Sequence, residues 1–285
     1  MSAPAAIFDK ALLEARRQRA HQQGAETFLL DRVAAELGER LSAVLRTFER
    51  AADIATPGDA VRRALVESGK AAAVEPMPFA DEVLSVPPGT LDLAVSALAL
   101  QFVNDLPGAL IQIRRALKPD GLFLAALIGG DTLTELRQSF AAAESEIEGG
   151  ISPRVAPFAD IREIGALLQR AGFALPVIDS ERIVVRYDTV FALMHDLRRM
   201  GATNALTERR RQPLKRRTLL RMAEIYRERF ADADGRLRAT FEVIWLSGWA
   251  PHESQQQPLK PGSARTRLAD ALGAKEISAG EKAGD

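Results

Sequence analysis

The sequence predicts an α/β protein built on a doubly wound, mainly parallel sheet. Three observations carry that prediction. Residues 91–99 (LDLAVSALA) form a short apolar run, which suits a strand buried on both faces. Residues 122–128 (LFLAALI) form a second run of the same kind. Between them Leu106, Leu110, Ile113 and Leu117 recur at spacings of three and four, the period of one helix face. A strand, a crossover helix and a strand make a parallel pair.

The elements follow in order. The N-terminal segment, 1–50, is helical. Phe8, Leu12 and Leu13 seed a first helix, and Leu30, Val33, Ala34, Leu37, Leu41, Val44, Leu45 and Phe48 give one apolar stripe. A short strand is expected at Ala51–Ile54, a helix from 59 to 65, and a second strand at 70–74 ending at Glu75. Pro76, Pro78, Pro87 and Pro88 leave room only for a short strand before 91. Asn104 or Asp105 caps the next helix, with Pro107 in its first turn. Pro119-Asp120-Gly121 is a turn signal. Helices are expected at 132–148, stopped by Gly149-Gly150, and at 158–171, closed by Gly172. A strand at 183–187, helices at 190–200 and 214–230, and an edge or hairpin strand at 239–249 complete the domain. Its expected bounds are 51–264, with a helical insertion at about 189–236. A polar tail follows at 265–285, disordered by composition from about 275.

Composition narrows the function. The 285 residues carry 38 Lys+Arg and 38 Asp+Glu, so no global field draws nucleic acid or an anionic membrane. The cluster Arg209, Arg210, Arg211, Lys215, Arg216, Arg217 reads as a solvated helix start. The absence of cysteine excludes disulfides, thiolate metal sites and cysteine nucleophiles. No apolar run is long enough to span a bilayer, and no signal core is visible. The expectation is a cytoplasmic, bacterial-like protein, on the matrix side of the mitochondrion if eukaryotic.

In an open α/β sheet, ligands sit beyond the carboxyl ends of the strands. The first strand-to-helix turn reads Asp53-Ile54-Ala55-Thr56-Pro57-Gly58-Asp59, where Gly58 alone supplies glycine freedom. Glu75 follows Asp53 by about 20 positions, the spacing of a carboxylate that holds ribose hydroxyls. Asp81 stands near an adenine amino group or caps a turn. Gln101, Asn104 and Asp105 lie at the carboxyl end of a buried strand, where a substrate is met; capping competes for Asn104 and Asp105. Gly129, Gly130 and Asp131 follow the next strand on the same face, where a helix start can meet a polar group. No residue stands out as a catalytic acid, base or nucleophile. His252-Glu253-Ser254 lacks the matched partners of a hydrolytic triad, and no metal triad is evident.

Four segments carry a family resemblance: DLAVSALALQFVNDLPGAL (92–110), LKPDGLFLAALIGGDTLTELR (117–137), AESEIEGGISPRVAPF (143–158) and SGWAPHESQQQP (247–258). They resemble the methyltransferase-like assembly factors of respiratory complex I, relatives of NADH:ubiquinone oxidoreductase complex assembly factor five. The chain is similar, less closely, to the malonyl-acyl-carrier methyltransferase of biotin synthesis. The first resemblance implies a class I S-adenosylmethionine (SAM) methyltransferase fold, SAM as cofactor and a complex I subunit as protein partner. It also implies methyl transfer, or arginine hydroxylation as in the mitochondrial relative. Asp53 and Gly58 fall in the family's cofactor loop, Glu75 near its ribose acid and Asp81 at the acid after its third strand. Gly129, Gly130 and Asp131 match its signature after the fifth strand. The chain departs from the family's Asp-Leu-Gly-Cys-Gly-x-Gly loop, and the stretch from Asp53 to Asp92 is short by about one strand–helix unit. Two readings therefore stand side by side: a SAM-dependent enzyme acting on a protein, and a non-catalytic assembly chaperone that keeps the fold without the cofactor.

Overall fold

The computed structural model describes residues 6–158, 160–256 and 273 of the chain. All its regular elements belong to one compact unit, Met1–Pro251. His252 opens a second unit, in which its Nδ1 hydrogen-bonds the Ser254 hydroxyl at 2.7 Å. The expected tail at 265–285 lies outside the described residues apart from Gly273.

Among the described residues the sheet has six strands, in the order β2-β1-β3-β4-β6-β5. They are β1 (Ala51–Ile54), β2 (Val74–Met77), β3 (Leu91–Ala97), β4 (Leu117–Ile128), β5 (Ala174–Tyr187) and β6 (Leu237–Trp249). The first four run parallel, while β6 is antiparallel to both β4 and β5. Side chains alternate between two cores, as the two-residue period of a strand requires. Leu122, Leu124, Ala126, Val243 and Trp245 enter one, and Phe123, Ala125, Leu127, Ile244 and Leu246 the other. The first core is covered by α2 (Phe28–Ser42), α3 (Ala60–Glu67), α5 (Thr134–Glu148), α7 (Val190–Arg199) and α8 (Arg216–Phe230). The second is covered by α4 (Leu106–Ala116) and α6 (Ile161–Arg170). Apolar surface on both faces is what makes the central strands read as continuous hydrophobic runs. The remaining helix, α1 (Lys10–Gln22), lies at the N-terminus.

Several expectations are corrected. The second strand starts at Val74, not at 70, because the chain before it joins the core differently. Phe48 donates its N–H to the Lys70 carbonyl at 2.7 Å and forms a lone parallel bridge with Ala71. Glu75 therefore lies inside β2, opposite Ala52, and the strand ends at Met77. The stripe drawn from Leu30 to Phe48 is not one helix. It stops at Ser42, whose hydroxyl bonds the Glu39 carbonyl, and Leu45 beyond it is fully exposed. Between β2 and β3 the structure has only a 3-10 turn at Ala80–Glu82, so β2 is the sheet edge; Pro76 is tolerated there. Pro119-Asp120-Gly121 is not a turn but a bulge inside β4, with Asp120 at φ 61°. Finally, β6 is neither edge nor hairpin: it sits between β4 and β5, and the edge is β5.

Candidate functional site

The carboxyl ends of β1, β3 and β4 open onto a cavity of about 890 Å³. Its floor is the turn after β1, where Ala55 (φ 60°) and Gly58 (φ 72°) both adopt left-handed backbone. Glycine does so freely and alanine at a cost. The start of α3 follows, and no side chain caps it, so Gly58, Asp59 and Ala60 bring uncapped helix-start backbone to the cavity wall. The turn is tied to β3 by the Ala97 N–H, which donates to the Thr56 hydroxyl at 2.9 Å. Leu98, Gln101 and Phe102, after β3, form a second wall. Leu133, Leu136 and Phe140, from the turn after β4 and from α5, form a third. Residues of α1, α2 and α7 roof the space.

Of the residues singled out from sequence, Gly58 and Gln101 line this cavity. Asp53 is 2% exposed and is not among the lining residues; one carboxylate oxygen pairs with Arg62 at 3.1 Å. Burial pushes the Asp53 carboxyl above its usual range, and Thr56 and Arg62 offset this only in part. Glu75 and Asp81 are exposed on the β2 side and lie outside the lining. Asn104 does not cap α4; it bonds both backbone groups of Phe8, accepting at 2.8 Å and donating at 3.3 Å. Asp105 is the cap, accepting from Gly108 N–H at 2.8 Å. Gly129, Gly130 and Asp131 stand behind the wall rather than in it. Among the described residues, no group of three or more His, Asp or Glu is placed to hold a metal ion, and no helix is long and apolar enough to cross a membrane.

Sequence reasoning missed Arg17. It lines the cavity with its guanidinium over the Phe102 ring, 5.5 Å from the centroid. A signal was present: Leu13 and Ala20 are the buried residues of α1, and Arg17 falls between them on the same face.

A methyltransferase-domain family model matches residues 38–125. The chain is 45% identical over 194 residues to the mitochondrial arginine-hydroxylase NDUFAF5 of Dictyostelium discoideum, covering 68% of this chain and 44% of that one. It is 38% identical over 280 residues to the human arginine-hydroxylase NDUFAF5, covering 90% of this chain and 81% of that one. The chain belongs to the NDUFAF5 family. The fold agrees with a solved Bacillus halodurans structure described as a putative methyltransferase, at TM-score 0.50 and 14% identity, covering 77% of this chain and 99% of that one. The class I SAM-methyltransferase fold expected from the sequence is the fold observed, less one strand–helix unit.

In this NDUFAF5-family chain the segment GGDTLTELR is a clasp. Gly129 N–H donates to the Glu242 carbonyl, Asp131 N–H to the Glu242 carboxylate, and Leu133 N–H to the Thr240 carbonyl. Thr132 and Glu242 exchange two further bonds through the Thr132 hydroxyl. Buried Glu135 accepts from the Thr240 N–H and hydroxyl. The N–H groups at 131–134 are thus engaged within the protein, and Asp131 itself pairs with Arg182 on the surface. Gly129 leaves room for the Glu242 side chain: an added Cβ would stand 2.4 Å from its carboxylate, which would have to move. Gly129→Ala is expected to cost about 1–3 kcal/mol by displacing that side chain. Urea denaturation checks it, and a variant as stable as wild type would remove the clasp as the reason for this glycine.

Proposed function

We propose that the chain binds SAM in the cavity above β1, β3 and β4 and modifies a protein partner during assembly of respiratory complex I. The observation that carries the reading is the cavity itself. It lies where an open α/β sheet receives its ligand, and its size falls within the roughly 300–1,000 Å³ of small-molecule sites. The turn at 55–59 lets backbone approach a ligand closely, through the left-handed Ala55 and Gly58 and the uncapped start of α3. The residues fit the cofactor at this turn and at Gln101, whose buried Oε1 has no hydrogen-bond partner among the described residues. They do not supply the ribose carboxylate from Glu75, which lies outside the cavity.

When bound, SAM supplies a methyl group on a sulfonium centre. The chain's own contribution is positioning and exclusion of water. Phe102 meets Phe8 and Phe158 edge-on, at 5.6 Å and 6.3 Å between centroids, which closes the space between the N-terminal helix and the loop after α5. The name carried by the relatives, arginine-hydroxylase, directs the search for the target to an arginine of the partner.

Titration calorimetry with SAM and S-adenosylhomocysteine tests the reading. Wild type is expected to bind. Gly58→Val is expected to lose about fivefold to a hundredfold in affinity, because a β-branched residue at φ 72° costs on the order of 1–3 kcal/mol. Unchanged affinity in the variant would sink the assignment of this turn to the cofactor. No heat from folded wild type would leave an assembly scaffold.

A further inference from the structure

The cavity contains two polar groups whose needs are opposite and unmet. Arg17 makes no hydrogen bond or ion pair among the described residues, while the other partly buried arginines of the lining are held: Arg154 by Glu144, Arg199 by Glu26. Burial pushes the Arg17 guanidinium below its ordinary value, with Glu14 one turn back opposing. The guanidinium lies over the Phe102 ring at 5.5 Å, and the root of the residue packs closely on Gly201, where an added Cβ would stand 3.0 Å from the Arg17 Cα. Gln101, next to Phe102, presents a buried carbonyl oxygen with no donor among the described residues. A partly buried cation with no ion pair and a buried acceptor without a donor are each costly. A ligand carrying both an anion and an N–H donor satisfies the two together.

We infer that Arg17 and Gln101 form a subsite for an amino-acid end, Arg17 receiving an α-carboxylate and Gln101 an α-ammonium. The inference rests on the SAM reading above, since SAM carries such an end on methionine; a free amino acid carries the same chemistry. Arginine suits this role because its planar fork meets a carboxylate with two parallel bonds. A cation brought by α1 also compensates for a turn after β1 that has lost most of its glycines.

Calorimetry on the full chain separates the possibilities. The probes are S-adenosylhomocysteine, 5′-methylthioadenosine, which keeps the nucleoside thioether but lacks the amino-acid end, and free methionine. Arg17→Met is expected to weaken S-adenosylhomocysteine by about tenfold to a hundredfold and to leave 5′-methylthioadenosine unchanged. Arg17→Lys is expected to recover part of the loss, and Gln101→Leu to show a smaller, equally selective one. Should Arg17→Met not fold, the other two variants carry the comparison. An unchanged affinity for S-adenosylhomocysteine overturns the subsite and leaves the cofactor reading standing; so does an equal loss for both nucleosides. Binding of methionine alone, abolished in Arg17→Met, keeps the subsite and makes a free amino acid its ligand. Failure of wild type to bind any of the three overturns both.

Discussion

Replacing Glu144 with alanine is expected to cost about 3–5 kcal/mol of folding stability. The Glu144 side chain is 1% exposed and lies in the last turns of α5. Its carboxylate accepts from the Ser152 N–H and hydroxyl, each at 2.8 Å, and from Arg154 Nε at 2.9 Å. Removing it leaves a partly buried guanidinium and a backbone N–H without partners, and leaving such groups unsatisfied costs more than their pairing contributes. Those same bonds hold the 150–158 loop, which places Val155 and Phe158 in the cavity wall. Urea denaturation at neutral pH measures the loss; a change below about 1 kcal/mol would show the pair to be dispensable. A pH signature accompanies it. Burial alone pushes the Glu144 carboxyl up, but Ser152 and Arg154 outweigh burial and hold it below its ordinary 4.5. The folded state therefore binds this proton less readily than the unfolded one. The contribution is complete above pH 4.5 and is lost as pH falls through the folded value. Glu144→Gln is expected to flatten that acid limb.

Trp245→Ala is expected to cost a similar amount, about 3–5 kcal/mol. Trp245 is 2% exposed at the middle of β6, opposite Ala126 of β4 and Asp179 of β5. The small Ala126 lies beside it across the strand pair. Arg40 of α2 stacks over the indole at 4.5 Å, so the ring also joins the helical layer to the sheet. Its Nε1 makes no hydrogen bond among the described residues, so the loss is packing and stacking alone. Trp245→Phe is expected to retain more than half of the stability. A loss below about 2 kcal/mol for alanine would mean the surrounding side chains collapse into the space.

What was legible in the sequence follows from where the information lies. β3 and α4 were legible because burial on both faces gives an apolar run and because Asp105 and Pro107 mark a helix start locally. The start of β2 was not, since Ala71, Ala72 and Ala73 carry no period and the Phe48–Ala71 bridge that displaces the strand is a tertiary contact. The place of β6 in the sheet was equally hidden, because alternation reports burial and not neighbours. The same limit governs the site. Gly58 and Gln101, singled out for their position after strands, line the cavity. The engagement of the N–H groups at 131–134 depends in part on Glu242 and Thr240, more than a hundred positions downstream, and no local pattern announces it. Arg17 is one of several arginines on α1, and only its tertiary contact with the Phe102 ring sets it apart.

The placement of β6 also governs how the chain comes into being. The strand spans Leu237–Trp249, yet it separates β4 from β5, which are made much earlier. On the ribosome, chains grow at about 5–20 residues per second. Until β6 arrives, β4 presents an open, apolar edge and β5 has no strand beside it. Its late, long-range pairing is of the kind that slows folding. A nascent chain therefore carries an unpaired apolar strand edge over this interval, and a chain truncated upstream of Leu237 is expected to aggregate rather than fold into a shortened working protein.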